Sequence, residues 1–513
     1  MILAVALIYF LVLIVGAGLV TMRRVKTTGD FTSAQSTGGM SWIFVTCTFV
    51  LIPLGSGHSM SLWEQSLGPL GGGALLWALA VGAIFIPIMM LFMGPLARST
   101  GYKTFPEITK AMYGRGFGWF HAAISASSQS GIIAAELIGT GVAIFTLSGG
   151  AVPLKPWAVL IAFVFALLYI FFGGFLQMAW INIVNSIMLI VGSFAAVIGV
   201  VVWLGKNFIF NGAGGLDGIA AYYASEELSG KLSQFSNVGI VNTWIDIIIP
   251  VALLHLTALT VSQGHNLPFF AAKSTKDVRK GVYLASVTNA MAAVPWVLIG
   301  LIAFAVPAVV NSVAPDELGK LIVPAAALAM LPKPLTGLLM ISLLSATLST
   351  AGAITLGSAQ QMTHNIIKDA LIPNMSDKAE LICTRVCVIV YGCICLGMAL
   401  TLPVIMPVFF WCFMLNIPIF FCYMTGMFFA INKTWCYISL AIGYVVAFGW
   451  TFLAPQWAPY PFNDTTWAVL LVSFVFGMLV PALIGSAGEK KPFRQRIRES
   501  RAGQAEIRLP DAK

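Results

Sequence analysis

The chain has 513 residues, of which 59% are hydrophobic and only 9% charged, with a formal net charge of +9. Soluble globular proteins carry about 25% charge, and one globule cannot bury this much apolar surface, so the remainder must face lipid. The positive residues lie in short loops and in the tail Lys490–Lys513, a pattern that belongs to membrane orientation and argues against a nucleic-acid partner.

A spanning helix needs about 20 mostly apolar residues. Such segments occur near 2–21, 41–63, 74–95, 118–148, 156–172, 177–204, 240–264, 281–309, 335–364, 381–402, 404–428, 433–454 and 465–486. They predict an all-α polytopic membrane protein with about thirteen spans. The first segment has no basic stretch before it and no small-residue cleavage site after it, so it reads as a retained helix, not a signal peptide. With the N-terminus outside, 23 Lys and Arg fall on the inner side, eight of them in the tail, against five on the outer side (Lys155, Lys206, Lys231, Lys320 and Lys333). That bias expects a multi-pass protein of the cell inner or plasma membrane with a cytoplasmic C-terminus. The eight cysteines lie in apolar segments without His or acid at metal-ligand spacing and read as small packing residues.

Two spans carry breaks. The first reads Ile52-Pro53-Leu54-Gly55-Ser56-Gly57-His58-Ser59. Pro53 has no N–H, so a carbonyl one turn earlier loses its partner, and Gly55 and Gly57 let the backbone leave helical geometry. The second reads Ser262-Gln263-Gly264-His265-Asn266-Leu267-Pro268, with Pro250 earlier in the same span. Irregular backbone inside a membrane is tolerated where protein or a watery cavity satisfies it, and paired broken helices in two halves mark a midplane transport site. Kinks made only for packing are the plainer alternative for either break alone. The third feature is the hydroxyl-rich run Leu343–Gly352, with Ser345, Thr347, Ser349 and Thr350. Small-residue helix packing explains it. So does a sodium site, because adjacent hydroxyls and freed carbonyls supply hard oxygen ligands.

Several motifs in this order resemble the sodium:solute symporter family, over about residues 1–486. Asp30-Phe31 follows the first helix. Phe105-Pro106-Glu107-Ile108 is similar to the family's I-P-E-[FY], and Gly173-Gly174 with Trp180 and Asn182 to its G-G-x5-W-x-D. Gln263 and His265 followed by Ala271-Ala272-Lys273-Ser274 resemble G-Q-P-H…A-A-K-S. Leu331-Pro332, Gly337-Leu338-Leu339 and Ala346-x-x-Ser349-Thr350 resemble P…GLL…A-x-x-S-T. The resemblance implies a five-plus-five inverted-repeat core of the LeuT type. The expected division is an extra N-terminal helix and loop over 1–39, a first repeat over 40–205, a second over 240–428, two further helices over 429–486 and a basic tail over 487–513. It also implies Na+ as coupling ion, held by the carbonyls of Leu51, Leu54 and Ala346 and the hydroxyls of Ser349 and Thr350. Asn182 departs from the family pattern, since many members carry there an Asp linked to sodium passage or to a second site. An Arg usual after the G-Q-P-H motif is also missing.

The solute site is expected at the first break, with Ser56, Gly57 and His58. Glu136 and Gln129 on the fourth span, Gln263 in the second break and Trp244 as an aromatic wall complete the candidates. A lone membrane His is often a satisfied packing residue, whereas an ionisable group at depth is a functional candidate by default. Trp63, Trp296, Phe410 and Trp411 could likewise cage an ammonium group or serve as belt and core residues. No Lys or Arg lies deep in a span, which leans the small organic solute toward a neutral, zwitterionic or cationic one. The function expected is sodium-coupled symport by alternating access. A proton-coupled transporter using Glu136 or His58 is the alternative, with a membrane sensor behind it because no signalling module follows residue 486. An enzyme is not expected, as no phosphate loop, H-E-x-x-H or G-x-S-x-G occurs.

Overall fold

The computed structural model describes residues 2–34, 38–55, 59–60, 62–64, 73–80, 86–225, 244–401, 406–453, 457–484 and 491–499. Within them the protein is almost wholly helical. The helices are α1 (Ile2–Thr21), α2 (Thr28–Ser33), α3 (Trp42–Leu51), α4 (Ala74–Ala80), α5 (Ile86–Thr100), α6 (Phe105–Tyr113), α7 (Arg115–Leu147), α8 (Val159–Phe171), α9 (Gly174–Asn207) and α10 (Gly215–Ala224). The second half holds α11 (Ile249–Val261), α12 (Gln263–Ala271), α13 (Thr275–Phe304), α14 (Leu318–Met330), α15 (Lys333–Gln360), α16 (Asp377–Thr401), α17 (Met406–Met414), α18 (Ile417–Phe428), α19 (Lys433–Leu453) and α20 (Thr465–Phe474). α15 runs on in wider turns over Gln361–Leu371.

Among the described residues, ten helical segments are long and apolar enough to cross a membrane. Three further expected spans are made in pieces: α3 with the turn beginning at residue 59, α4 with α5, and α11 with α12. α1 shows how such a helix divides its faces. Ala6, Phe10, Ile14 and Gly18 recur every four residues and are buried, while Val5, Val12 and Leu19 are each more than half exposed. One stripe therefore packs on the bundle and the rest of an apolar surface is left for lipid. The core is built around α15, which packs along α9 on one side and α7 on the other, with α3 against α13. α15 is buried almost continuously from Leu339 to Gln360. Small residues let it lie that close. A Cβ on Gly357 would sit 2.5 Å from Gly264 N and Cα, so backbone meets backbone where α15 passes the second break.

The two broken helices run in opposite directions. Met40, just before α3, donates from its N–H to Ala271 O at 2.7 Å and accepts from Lys273 N at 2.9 Å. Trp42 N donates to Asp277 Oδ1 at 3.0 Å. One broken helix thus starts where the other ends, as an inverted repeat requires. At this same end, rich in Arg and Lys, short helices are fixed by capping boxes. Thr27 and Asp30 cap α2 reciprocally, and Thr104 and Glu107 cap α6, where Pro106 fills the first turn.

Candidate functional site

The first break follows from its sequence. α3 ends at Leu51, and Ile52–Gly55 form turns in place of continuing the helix. Two carbonyls at this end of α3 point at α15, although Leu51 O also accepts from Leu54 N at 3.1 Å. The Thr350 hydroxyl lies 2.9 Å from Ile52 O, 3.3 Å from Leu51 O and 2.9 Å from Ala346 O. A hydroxyl has one proton to donate, so three carbonyl oxygens converge on a single donor. Ser349 Oγ, next in sequence, is fully buried and makes no hydrogen bond of ordinary geometry, with the Tyr169 hydroxyl as its polar neighbour. Buried polar atoms are nearly always paired, and carbonyl oxygens gathered around one hydroxyl are hard oxygen donors of the kind a cation can also take.

The expected sodium ligands are largely brought together. Leu51, Ala346 and Thr350 meet at this point, whereas Ser349 has Tyr169 as its polar neighbour. Leu54 O instead accepts from Ser59 Oγ at 2.7 Å, and Ile52 O, not anticipated, is the first-break carbonyl nearest to Thr350. Choosing between neighbouring carbonyls requires the rotation of α3 about its axis, which no sequence motif encodes.

Glu136 belongs to the same place. It is 1% exposed on α7, and its carboxylate packs on the break. A Cβ added to Gly55 would collide with that carboxylate and lie 2.6 Å from Thr350 Oγ1. One turn further along α7, Thr140 Oγ1 donates to Thr347 Oγ1 at 2.8 Å, which ties α7 to α15. On the other side of α15 the polar groups are neutral. Tyr169 donates to Asn182 Oδ1 at 2.7 Å and accepts from Asn185 Nδ2 at 2.8 Å, and Asn182 Nδ2 and Ser345 Oγ are buried without partners.

The other expected solute contacts are dispersed. Ser56, Gly57 and His58 lie outside the described residues. Gln129 is buried on α7 and donates to Ser128 Oγ, which also accepts from Asn416 of the α17–α18 turn. Trp244 stands 40% exposed at the entry to the second broken span. Gln263 is committed to the basic end. Its Oε1 accepts from Phe105 N at 3.1 Å, and its Nε2 donates to Lys103 O at 3.2 Å and to Gln360 Oε1 at 3.0 Å. Gln360 in turn donates to Thr32 Oγ1. The second break itself is at Ser262, which is extended. Asn266 Nδ2 satisfies the carbonyls left open there, lying 2.6 Å from Leu259 O and 2.6 Å from Ser262 O.

At the basic end His364, on the extension of α15, bridges Glu107 and Glu380 at 2.7 Å each, and Lys368 completes the cluster on Glu380. Burial raises the Glu107 carboxyl, but the hydrogen bond and charge of His364 and the Lys103 and Thr104 amides outweigh it and hold it below the ordinary carboxylate value. No motif announced His364. The capping box of α6 was legible, since Thr-x-x-Glu is its sequence form.

The chain matches the sodium:solute symporter family over residues 68–431. It is 24% identical to a high-affinity choline transporter of Caenorhabditis elegans over 434 residues, covering 80% of this chain and 70% of the relative. Among solved structures it is similar to a substrate-bound, outward-open Na+-coupled sialic acid symporter, with a TM-score of 0.77 at 14% identity over 96% of this chain and 99% of the other. It is also similar to a nucleobase-cation-symport-1 family transporter in a closed conformation, with a TM-score of 0.58 at 14% identity over 87% and 92%. These likenesses agree with the LeuT-type inverted-repeat fold.

Proposed function

The chain belongs to the sodium:solute symporter family, and on that premise we propose that it carries a small organic solute across a membrane together with sodium, by alternating access. The observation that carries the reading is the convergence of Leu51 O, Ile52 O and Ala346 O on the Thr350 hydroxyl. Sodium supplies there the positive charge that one hydroxyl proton cannot. The binding of sodium joins α3 to α15, so its gradient biases the packing of the first broken helix on its neighbours.

The solute is proposed to be neutral, zwitterionic or cationic. Support comes from the lack of any Lys or Arg deep in a span and from the choline-transporting relative. Its binding site is assigned to the first break, with Ser56, Gly57 and His58, and to the polar stripe of α7 that holds Gln129. Gln263 is assigned to closure of the basic end, which the Lys and Arg distribution makes the cytoplasmic one.

The test is uptake into proteoliposomes of choline, betaine, amino acids and sugars, with an inward sodium gradient or with the gradient collapsed. At least one of these is expected to accumulate only with the gradient. Ser349→Ala combined with Thr350→Ala is expected to lower uptake on the order of tenfold or more at subsaturating sodium, a tenfold change corresponding to about 1.4 kcal/mol. Uptake indifferent to sodium but driven by a proton gradient would instead assign the coupling to Glu136 or His58.

A further inference from the structure

We propose that Glu136 is an anionic member of the cation site, so that this site carries a formal negative charge and binds sodium as a neutral pair; the inference rests on the symport reading above. Three observations carry it. The Glu136 carboxylate and the Thr350 hydroxyl both lie against Gly55, each within 2.6 Å of where a Cβ on it would stand, so that no Cβ fits there. Thr350 is the residue on which the carbonyls of Leu51 and Ile52 at the first break converge. And the carboxylate is on α7, whose Thr140 bonds Thr347 on α15 only three residues before Thr350, so its position is fixed by the same helix pair that frames the site.

Charge balance favours a carboxylate at this place. Backbone carbonyls and hydroxyls give a cation partial charges only, and a cation transferred from water to a buried site keeps its full charge. A carboxylate within reach removes that charge. On the opposite flank of α15, Asn182, Asn185, Tyr169 and Ser345 supply no charge. Among the described residues around Thr350, the α7 side alone brings a formal negative charge.

This assignment differs measurably from a role in holding the solute. A solute-binding carboxylate affects sodium only when solute is present. A member of the cation site affects sodium in the protein alone. The experiment is a sodium titration of the purified protein without solute, read by thermal shift at constant ionic strength with choline-free N-methylglucamine as the replacement cation. Wild type, Glu136→Gln, Glu136→Asp and Ser349→Ala/Thr350→Ala are compared. Sodium is expected to raise the melting temperature of the wild type. Glu136→Gln is expected to weaken apparent sodium affinity tenfold or more, and Glu136→Asp, which keeps the charge on a shorter arm, by less. Should Glu136→Gln not yield folded protein, Glu136→Asp alone decides, with several-fold weakening expected. Wild-type sodium affinity in the folded Glu136 variants, alongside its loss in Ser349→Ala/Thr350→Ala, overturns this inference and leaves the symport reading standing. A wild-type protein that gives no sodium response overturns both.

Discussion

Gly55 is where the site is most sensitive to added volume. Gly55→Ala adds one methyl group at a point that would lie 2.6 Å from Thr350 Oγ1 and overlap the Glu136 carboxylate. The two neighbours respond differently. The carboxylate ends a flexible side chain and can swing aside. Thr350 is β-branched and held to Ala346 O at 2.9 Å, so its hydroxyl cannot rotate away without losing the carbonyls it gathers. Overpacking of this kind costs about 1–3 kcal/mol, and it falls on the cation-bound state, where carbonyls, hydroxyls and carboxylate must close up. Apparent sodium affinity should weaken by on the order of five- to a hundredfold, while the global fold is retained because the rest of α3 is untouched. Sodium-dependent thermal shift of the purified variant, with size-exclusion chromatography as the fold control, measures both. A folded Gly55→Ala protein with unchanged sodium affinity would refute the placement of the cation between the first break and α15.

Three further outcomes follow from contacts elsewhere. Gly357→Ala places a Cβ 2.5 Å from the backbone of Gly264, which no rotamer change relieves, so solute uptake should fall by more than about tenfold as α12 is pushed off α15; uptake at the wild-type rate would contradict this. Gln263→Ala removes the bonds to Phe105 N, Lys103 O and Gln360, worth about 1 kcal/mol each, and should raise thiol-reagent access to a cysteine introduced beside the second break. Acidification should destabilise the basic end. The Glu107 carboxyl is held below its ordinary value, so its contribution is present above the unfolded value of about 4.3 and is lost as pH falls through the lower folded value. Melting temperature should therefore drop less steeply below about pH 4 in Glu107→Gln than in the wild type.

The fold was legible because its signals are local. Apolar length marks the spans, and Pro53 with Gly55, or Ser262 with Gly264, marks a helix that cannot continue. The hydroxyl-rich run Leu343–Gly352 was visible as well, and family resemblance singled out Thr350, whose hydroxyl meets the carbonyls of Leu51 and Ile52. What stayed hidden depends on the rotation and depth of whole helices. Ile52 O, not Leu54 O, faces Thr350, a difference set by how α3 turns as it ends. Gln263 belongs by sequence to the second break, yet its amide reaches past the break to α6, since α12 carries it to the basic end. The meeting of Glu136 with Gly55 joins two distant spans, and only their packing brings it about. Asn266 was read as part of a break, whereas its amide is what closes that break over Leu259 O and Ser262 O.

Sodium is proposed to bind between the first broken helix and α15. Equilibrium binding of radioactive sodium to the purified protein in a scintillation proximity assay tests it without knowledge of the solute. Saturable binding is expected in the wild type, displaced by unlabelled sodium but not by potassium, and lost in Ser349→Ala/Thr350→Ala. Absence of saturable binding in the wild type, or full binding in that double variant, would contradict the account.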